Sequence, residues 1–249
     1  MSKHSLLIVT TLILLYRITF LYCSLRSAPQ KNPKMFVTAA SSNHFKSLLQ
    51  FLASLDGRPV IVYDIGLTAE EAATVKSMRI TYRPFDFSTV PPWGLLTPET
   101  AGYYVWKPMI VDTVMKEAHD VVIWCDAGNV VTDAGALTRA TRAAHIYTPY
   151  SNGALSRWTH TQCLDGLKMT ELERIKPMRN GAIIGLDAKD PVARRFVEDW
   201  RASSFVEAFI VGDRSNHRHD QSILSCLFYK YRRSSPAHCI GVEIHRDCD

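Results

Sequence analysis

Apolar and polar positions along this chain alternate in two rhythms that hand over to one another from segment to segment. Met35–Ala40 (MFVTAA) and the run 59–64 (PVIVYD) are short apolar stretches of the length of buried strands. Between them Phe45, Leu48, Leu49 and Leu52 recur at helical spacing, predicting a helix over 45–55. Thr68 with Glu71 three residues later is a capping box opening a helix over TAEEAATVKSM, and RITYRPF follows as a third strand. A loop bearing proline and glycine covers 86–102. Beyond it a helix from about Pro108 to Lys116 puts Ile110, Val111, Val114 and Met115 on one face, with the proline suited to a first turn.

The run Val121–Trp124 shows no strict alternation, as expected of a central strand covered on both faces. Further on, Asn180-Gly181 makes a tight turn into a strand over 182–186. Asp190-Pro191 starts a helix whose Val192, Phe196, Val197 and Trp200 face inward. Ile223, Leu224, Leu227, Phe228 and Tyr231 form an amphipathic helix with Asp220 at its N-cap position. Strands alternating with helices predict an α/β, Rossmann-like domain with a mostly parallel central sheet, a single domain over 35–249 without internal repeats.

Residues 1–34 differ. Leu6–Tyr16 is continuously apolar or hydroxylated and Ile18–Cys23 extends the run past Arg17, close to the roughly 20 residues that span a bilayer. Either a signal-anchor or a cleaved signal peptide over 1–23 fits, and no small-x-small cleavage site follows. The polar, basic stretch 24–34 suits a short stem. Both alternatives send the chain to the secretory membrane system, as a single-pass protein with its domain in the endoplasmic reticulum or Golgi lumen, or secreted if the segment is cleaved. Charge does not settle the orientation, because Arg26, Lys31 and Lys34 follow the span and only Lys3 and the amino terminus precede it.

The segment also accounts for the charge. Five of the 29 basic residues and none of the 24 acidic ones lie in 1–34, so the net +5 belongs there and the remainder is neutral. A neutral domain carries no electrostatic footprint for nucleic acid. Of six cysteines, Cys23 falls in the apolar segment and Cys125 in a buried strand. Cys163, Cys226, Cys239 and Cys248 could form one or two disulfides in a lumen. No C-x-x-C, zinc-like spacing or N-x-[ST] sequon occurs.

Four places carry candidate chemistry. VVIWCDAGN ends a hydrophobic strand in Asp126, with Asn129 and Asp133 beyond it. A plain turn explains Asp-Ala-Gly, but open α/β sheets bind ligands at such strand ends. In YYVWKPMIV, Lys107 sits at a helix start, where its ammonium and the free amides could hold a diphosphate, unless it is simply solvated beside a packed Trp106. MRNGAIIGLD lets the backbone approach a sugar at Gly181, with Asn180 and Arg179 in reach of its hydroxyls, or is only a turn. In DRSNHRHDQS, Arg214, His217, Arg218 and His219 could neutralise a phosphate leaving group beside Asp220, which could take a proton from a nucleophile.

Taken in order, VYDIGL, YRPFDF, VWKP, WCDAGN, MRNGAIIG and NHRHDQSIL resemble the GT-A-type nucleotide-sugar glycosyltransferases, and most of all eukaryotic, membrane-anchored members of that superfamily. The resemblance implies a nucleoside-diphosphate-sugar donor and a hydroxyl acceptor on a glycan, protein or lipid. Mapped here, Asp126, Asn129, Lys107, Asn180, Gly181, Arg218 and His219 would bind the donor, and Asp220 would be the catalytic base if the reaction inverts the anomeric centre, whereas a retaining reaction would need no such base. Asp126 matches the first aspartate of the D-x-D motif, but Gly128 replaces the second. Since hard cations want several oxygen ligands, Mn²⁺ or Mg²⁺ would then be held by Asp126, the donor diphosphate, water and a C-terminal group such as His245 or Asp247. Failing that, Lys107, Arg218 and His219 would supply the positive charge.

Rival classes fare worse. A D-x-D-x-T phosphatase needs the residues that Gly128 and Val130 replace, and a dinucleotide oxidoreductase needs a G-x-G-x-x-G that is absent. A GT-A fold with a retired site, now binding glycans or a partner, stays open.

Overall fold

The computed structural model describes residues 35–248. The anchor and stem expected over 1–34, with Cys23, lie outside those residues. Among the described residues no helix is long and apolar enough to cross a membrane.

Strands β1 (Met35–Ala40), β2 (Val60–Asp64) and β3 (Thr81–Pro84) are separated by helices α1 (Phe45–Ser54) and α2 (Ala69–Ser77). Helix α3 (Trp106–Glu117) leads into β4 (Val121–Cys125). A short β5 (Val130–Val131), helix α4 (Ala134–Ala144), and strands β6 (Ile146–Tyr147), β7 (Tyr150–Ala154) and β8 (Pro177–Arg179) follow. The domain closes with β9 (Ile183–Asp187), α5 (Pro191–Ser204), α6 (Asp220–Lys230) and β10 (Val242–Glu243). The main sheet runs β3-β2-β1-β4-β9-β6. Pairs β3/β2, β2/β1 and β1/β4 are parallel, whereas β9 runs against both β4 and β6. The sheet is therefore mostly parallel with one reversed strand.

Helices cover both faces, and strand periodicity decides which side chain goes where. Val122 and Trp124 enter the layer filled by α3, α5 and α6, while Val121, Ile123 and Cys125 enter the layer filled by α1, α2 and α4. All five β4 side chains are buried, which is why the strand reads as an unbroken apolar run. Gly185 lets α4 lie close on β9, because a Cβ there would fall 2.0 Å from Thr141 Oγ1.

Helix starts follow their caps. Thr68 accepts from the Glu71 amide and Glu71 reaches back to the Thr68 amide, so both halves of the box form. Asp190 caps α5 ahead of Pro191. Four expectations change. Helix α3 begins at Trp106, which puts Pro108 at its third residue. Val192 is 37% exposed on the outer side of α5, while Phe196, Val197 and Trp200 are buried. Asp220 is the first helical residue of α6, and His219 holds the N-cap position. All five described cysteines are free, so the expected disulfides do not form; Cys163 and Cys226 meet as thiols in the core.

Candidate active site

Strand order places the site. The chain leaves β1 toward β2 and β3 on one side, and β4 packs on the other, so a crevice opens beyond the carboxyl ends of β1 and β4. Asp126 is the first residue past β4. Its amide donates to the Ala182 carbonyl (2.9 Å), and its own carbonyl accepts from the Asn129 amide (3.1 Å). Asp-Ala-Gly-Asn is thus a turn, and that turn aims the carboxylate into the crevice.

Lys107, in the first turn of α3, meets it there. Its Nζ lies 2.9 Å from Asp126 Oδ1, 3.2 Å from the Gly181 carbonyl oxygen and 3.7 Å from Asp220 Oδ2. The Trp124 indole donates to the same Asp126 Oδ1 at 2.7 Å. Lys107 and Asp220 are buried, and Asp126 is about a third exposed. Burial works against the charge on Lys107, but Asp126 and Asp220 outweigh it and raise its pKa above the ordinary lysine value. Asp220 moves the other way for a carboxylate. Burial raises it, Lys107 partly reverses that, Asp126 raises it again, and the result is about 6. Its Oδ2 has no hydrogen-bond partner, leaving Lys107 at 3.7 Å as its counter-charge.

Two lobes of the crevice meet at this trio. One, about 420 Å³, lies over the ends of β1 and β2, lined by Ala39, Ala40, Ser41, Asn43, Ile65 and Leu96. The other, about 470 Å³, is lined by Ser151, Asn152, Trp158, Gly181, Arg218, His219, Asp220 and Gln221. Tyr104, Lys107, Asp126, Arg214 and His245 line both and form the waist. Each lobe falls in the size range of small-ligand sites.

The structure thus gathers Asp126, Lys107, Gly181, Arg218, His219, Asp220 and His245 around one cleft. Two expected donor-binding residues serve the backbone instead. Asn129 is buried, donates to the Ala182 carbonyl at 2.7 Å and accepts from the His245 amide at 3.4 Å. Asn180 accepts from the Ala182 amide at 2.7 Å, pinning the turn before β9. Arg179 lies buried below the cleft, donating to the Thr148 carbonyl and stacking on Phe228 at 4.0 Å. Asp133 is the N-cap of α4.

The expected cationic cluster is also halved. His217 is fully buried against His160, their rings stacked at 3.9 Å, and burial with its histidine neighbours brings it down to about 3. Burial likewise holds His219 below the ordinary histidine range, with Nδ1 facing the Ile210 carbonyl. His217 is therefore neutral at physiological pH, and burial works against a positive charge on His219. Arg214 and Arg218 are exposed.

Asp126, His245 and Asp247, expected around a Mn²⁺ or Mg²⁺, all line the first lobe. Among the described residues no three His, Cys, Asp or Glu side chains come together as a ligand group. Asp126 Oδ1 is already engaged by an ammonium and an indole. Gly128 cannot be read as an open gap: a Cβ there would lie 1.9 Å from Asp247 Oδ1, because the carboxylate of the C-terminal segment fills that space.

Several lining residues escaped the sequence. Trp124 is two positions before Asp126, hence on the same strand face, and period two would have paired them. Gln221 adjoins Asp220. Tyr104, Trp158, Ser151 and Asn152 carry no spacing signal and reach the cleft through loops and short elements.

No protein-family model matches the chain, and no curated protein matches it. Solved structures that resemble it include glycosyltransferases. Mouse xyloside xylosyltransferase 1, in its apo form, aligns over 80% of this chain and 82% of its own at 10% identity, with a TM-score of 0.47. The glycosyltransferase GlyE of Streptococcus pneumoniae TIGR4 aligns over 80% of this chain at 15% identity and a TM-score of 0.44. The chain spans 44% of that protein's length.

Proposed function

We propose that the domain is a glycosyltransferase that moves a sugar from a nucleoside-diphosphate sugar to a hydroxyl of a glycan, protein or lipid. The observation that carries this is the two-lobed cleft at the switch point of the sheet, with a lysine clamped between two carboxylates at its waist. The lobe over β1 and β2 offers an apolar shelf of Ala39, Ala40, Ile65 and Leu96 to a base, with Ser41 and Asn43 in reach of a ribose. The diphosphate belongs at the waist, and the transferred sugar and acceptor in the second lobe, whose Trp158 suits the apolar face of a sugar ring.

In that arrangement Asp220 takes the acceptor's proton. A carboxylate near 6 is ionised at neutral pH yet more basic than an ordinary aspartate, which favours general-base catalysis. Lys107 fixes the spacing between Asp126 and Asp220 and binds the Gly181 carbonyl, so one cation joins three separate segments. The same feature favours an active enzyme over a retired fold. A fully buried carboxylate with an unpartnered oxygen destabilises the protein, and such groups cluster where catalysis uses them. Placement in the endoplasmic reticulum or Golgi rests on the N-terminal sequence and belongs to the same proposal.

The test is a panel of nucleotide sugars against the purified protein, first by thermal shift and then by turnover with simple acceptors. At least one donor should raise the melting temperature by mass action. Asp220→Asn should keep that rise and lose turnover. A panel that leaves the melting temperature unchanged throughout would sink the proposal.

A further inference from the structure

We infer that the donor's diphosphate is held at the waist by Arg214, with no divalent cation in the site. This rests on the nucleotide-sugar function proposed above and concerns how that donor is neutralised.

Three observations lead there. The place beside Asp126 where a metal would coordinate already holds a positive charge. Lys107 Nζ is 2.9 Å from Oδ1, and the lysine is buried, with Gly181 and Asp220 taking its remaining contacts, so it cannot swing into solvent. A dication on the same carboxylate would sit against a fixed ammonium. Secondly, position 128 brings no carboxylate of its own, and among the described residues no three His, Cys, Asp or Glu side chains gather as a ligand group. The C-terminal segment closes over Gly128 through the Arg246 amide on the Gly128 carbonyl (2.7 Å), the His245 amide on Asn129 and the Cys248 amide on Ser47 Oγ (3.0 Å). That segment puts Asp247 where the missing side chain would grow. Asp247 also lies 4.0 Å from His44 Nδ1.

Thirdly, the waist needs a positive charge that the trio does not provide. Lys107 faces two carboxylates, and His219 is buried and hydrogen-bonded to a backbone carbonyl. Arg214 is exposed and lines both lobes. It is aimed by the Tyr104 hydroxyl, to which it donates, and by the Tyr104 ring at 5.4 Å. Tyr104 itself sits at φ 60°, after Ala101, Gly102 and Tyr103 at similarly positive φ, so the loop holds its ring in an unusual position over the waist. A guanidinium there can grip phosphate oxygens two at a time, which a lysine cannot. Arg218 stacks on Trp158 at 3.9 Å in the second lobe and is placed for the sugar side.

The experiment is calorimetric titration of uridine, guanosine and adenosine diphosphates into the full-length protein, once in EDTA and once with excess Mn²⁺. At least one nucleotide should bind in EDTA, with an affinity that Mn²⁺ leaves essentially unchanged. Arg214→Ala should weaken that binding roughly tenfold or more, the loss of about one charge-assisted hydrogen-bonded contact, with an unchanged melting temperature. Arg214→Lys should recover only part of it. Binding that appears only with Mn²⁺, or a gain with Mn²⁺ that Asp247→Asn removes, overturns the inference and leaves nucleotide binding intact. Binding in neither buffer removes the nucleotide-sugar function itself, and the inference falls with it.

Discussion

Replacing Asp220 by asparagine should stabilise the protein at neutral pH while stopping the reaction. Folding moves the Asp220 carboxyl from an ordinary 3.8 to about 6, through burial first, offset by Lys107 and reinforced by Asp126. A group whose folded pKa lies above its unfolded value holds its proton more tightly when folded. Its contribution to stability is therefore most favourable below about 4 and is lost as pH rises to about 6. At 1.36 kcal/mol per pH unit, the interval from 3.8 to about 6 is worth about 3 kcal/mol by pH 7.

Asparagine removes that penalty. Its oxygen can still face Lys107, which keeps Asp126 at 2.9 Å, but its amide hydrogens inherit the place where Oδ2 found no partner. An unsatisfied buried donor costs about 1–3 kcal/mol. The expected net gain is about 0–2 kcal/mol at pH 7–8, falling by about 3 kcal/mol to a net loss near pH 4, where the wild-type side chain is already protonated and only the donor cost remains. The assay is urea unfolding of both proteins at a series of pH values, read as the difference between them. Taking the difference matters because other carboxylates have the opposite sign. Asp120, whose burial is outweighed by Arg142, sits below the usual range, so its contribution is present above that range and lost as pH falls. Such terms cancel between the two proteins. A difference that stays flat from pH 4 to 7, or an asparagine variant less stable throughout, would refute the buried-carboxylate account.

Initial rates of the wild type should climb through an apparent pKa near 6, and a flat profile between pH 5 and 7 would count against Asp220 as the base. Lys107→Met leaves two carboxylates facing each other without their cation. It should lose about 3–5 kcal/mol of stability at pH 8 in urea unfolding, and less at pH 5, where Asp220 can take up a proton. Trp124→Phe removes the 2.7 Å donor to Asp126 and should cost about 1 kcal/mol or slightly more, with weaker nucleotide binding by titration. Gly185→Ala pushes a methyl to 2.0 Å from Thr141 Oγ1 and should cost about 1–3 kcal/mol, seen as a lower melting temperature; a neutral result would mean that α4 can move off β9.

The layered fold was legible because its signals are local. Five consecutive buried residues in β4 can only belong to a strand covered twice, and the Thr68–Glu71 and Asp190-Pro191 pairs mark helix starts by chemistry that acts within one turn. Strand direction is not local. Nothing in AIIGLD distinguishes β9 as a strand running against its neighbours, and it is this reversal that brings the carbonyl of Ala182 to the Asp126 amide. The charge of a side chain is not local either. Arg214, His217, Arg218 and His219 look like one basic run, but two of them turn inward, and burial lowers the pKa of both.

Gly128 carries the same lesson furthest. On the sequence it is a lost aspartate, and loss suggests decay. In the fold its φ is not positive, so no backbone demand selects glycine; what stands where its side chain would grow is the Asp247 carboxylate, arriving from the far end of the domain. That carboxylate is the tip of a side chain 43% exposed, which can turn aside, so the fold tolerates glycine at 128 and does not demand it. The segment itself is held by its backbone, through the Arg246 amide on the Gly128 carbonyl, the His245 amide on Asn129 and the Cys248 amide on Ser47. Gly128 therefore speaks of decay only if position 128 is read alone, because a carboxylate from position 247 stands at the same spot.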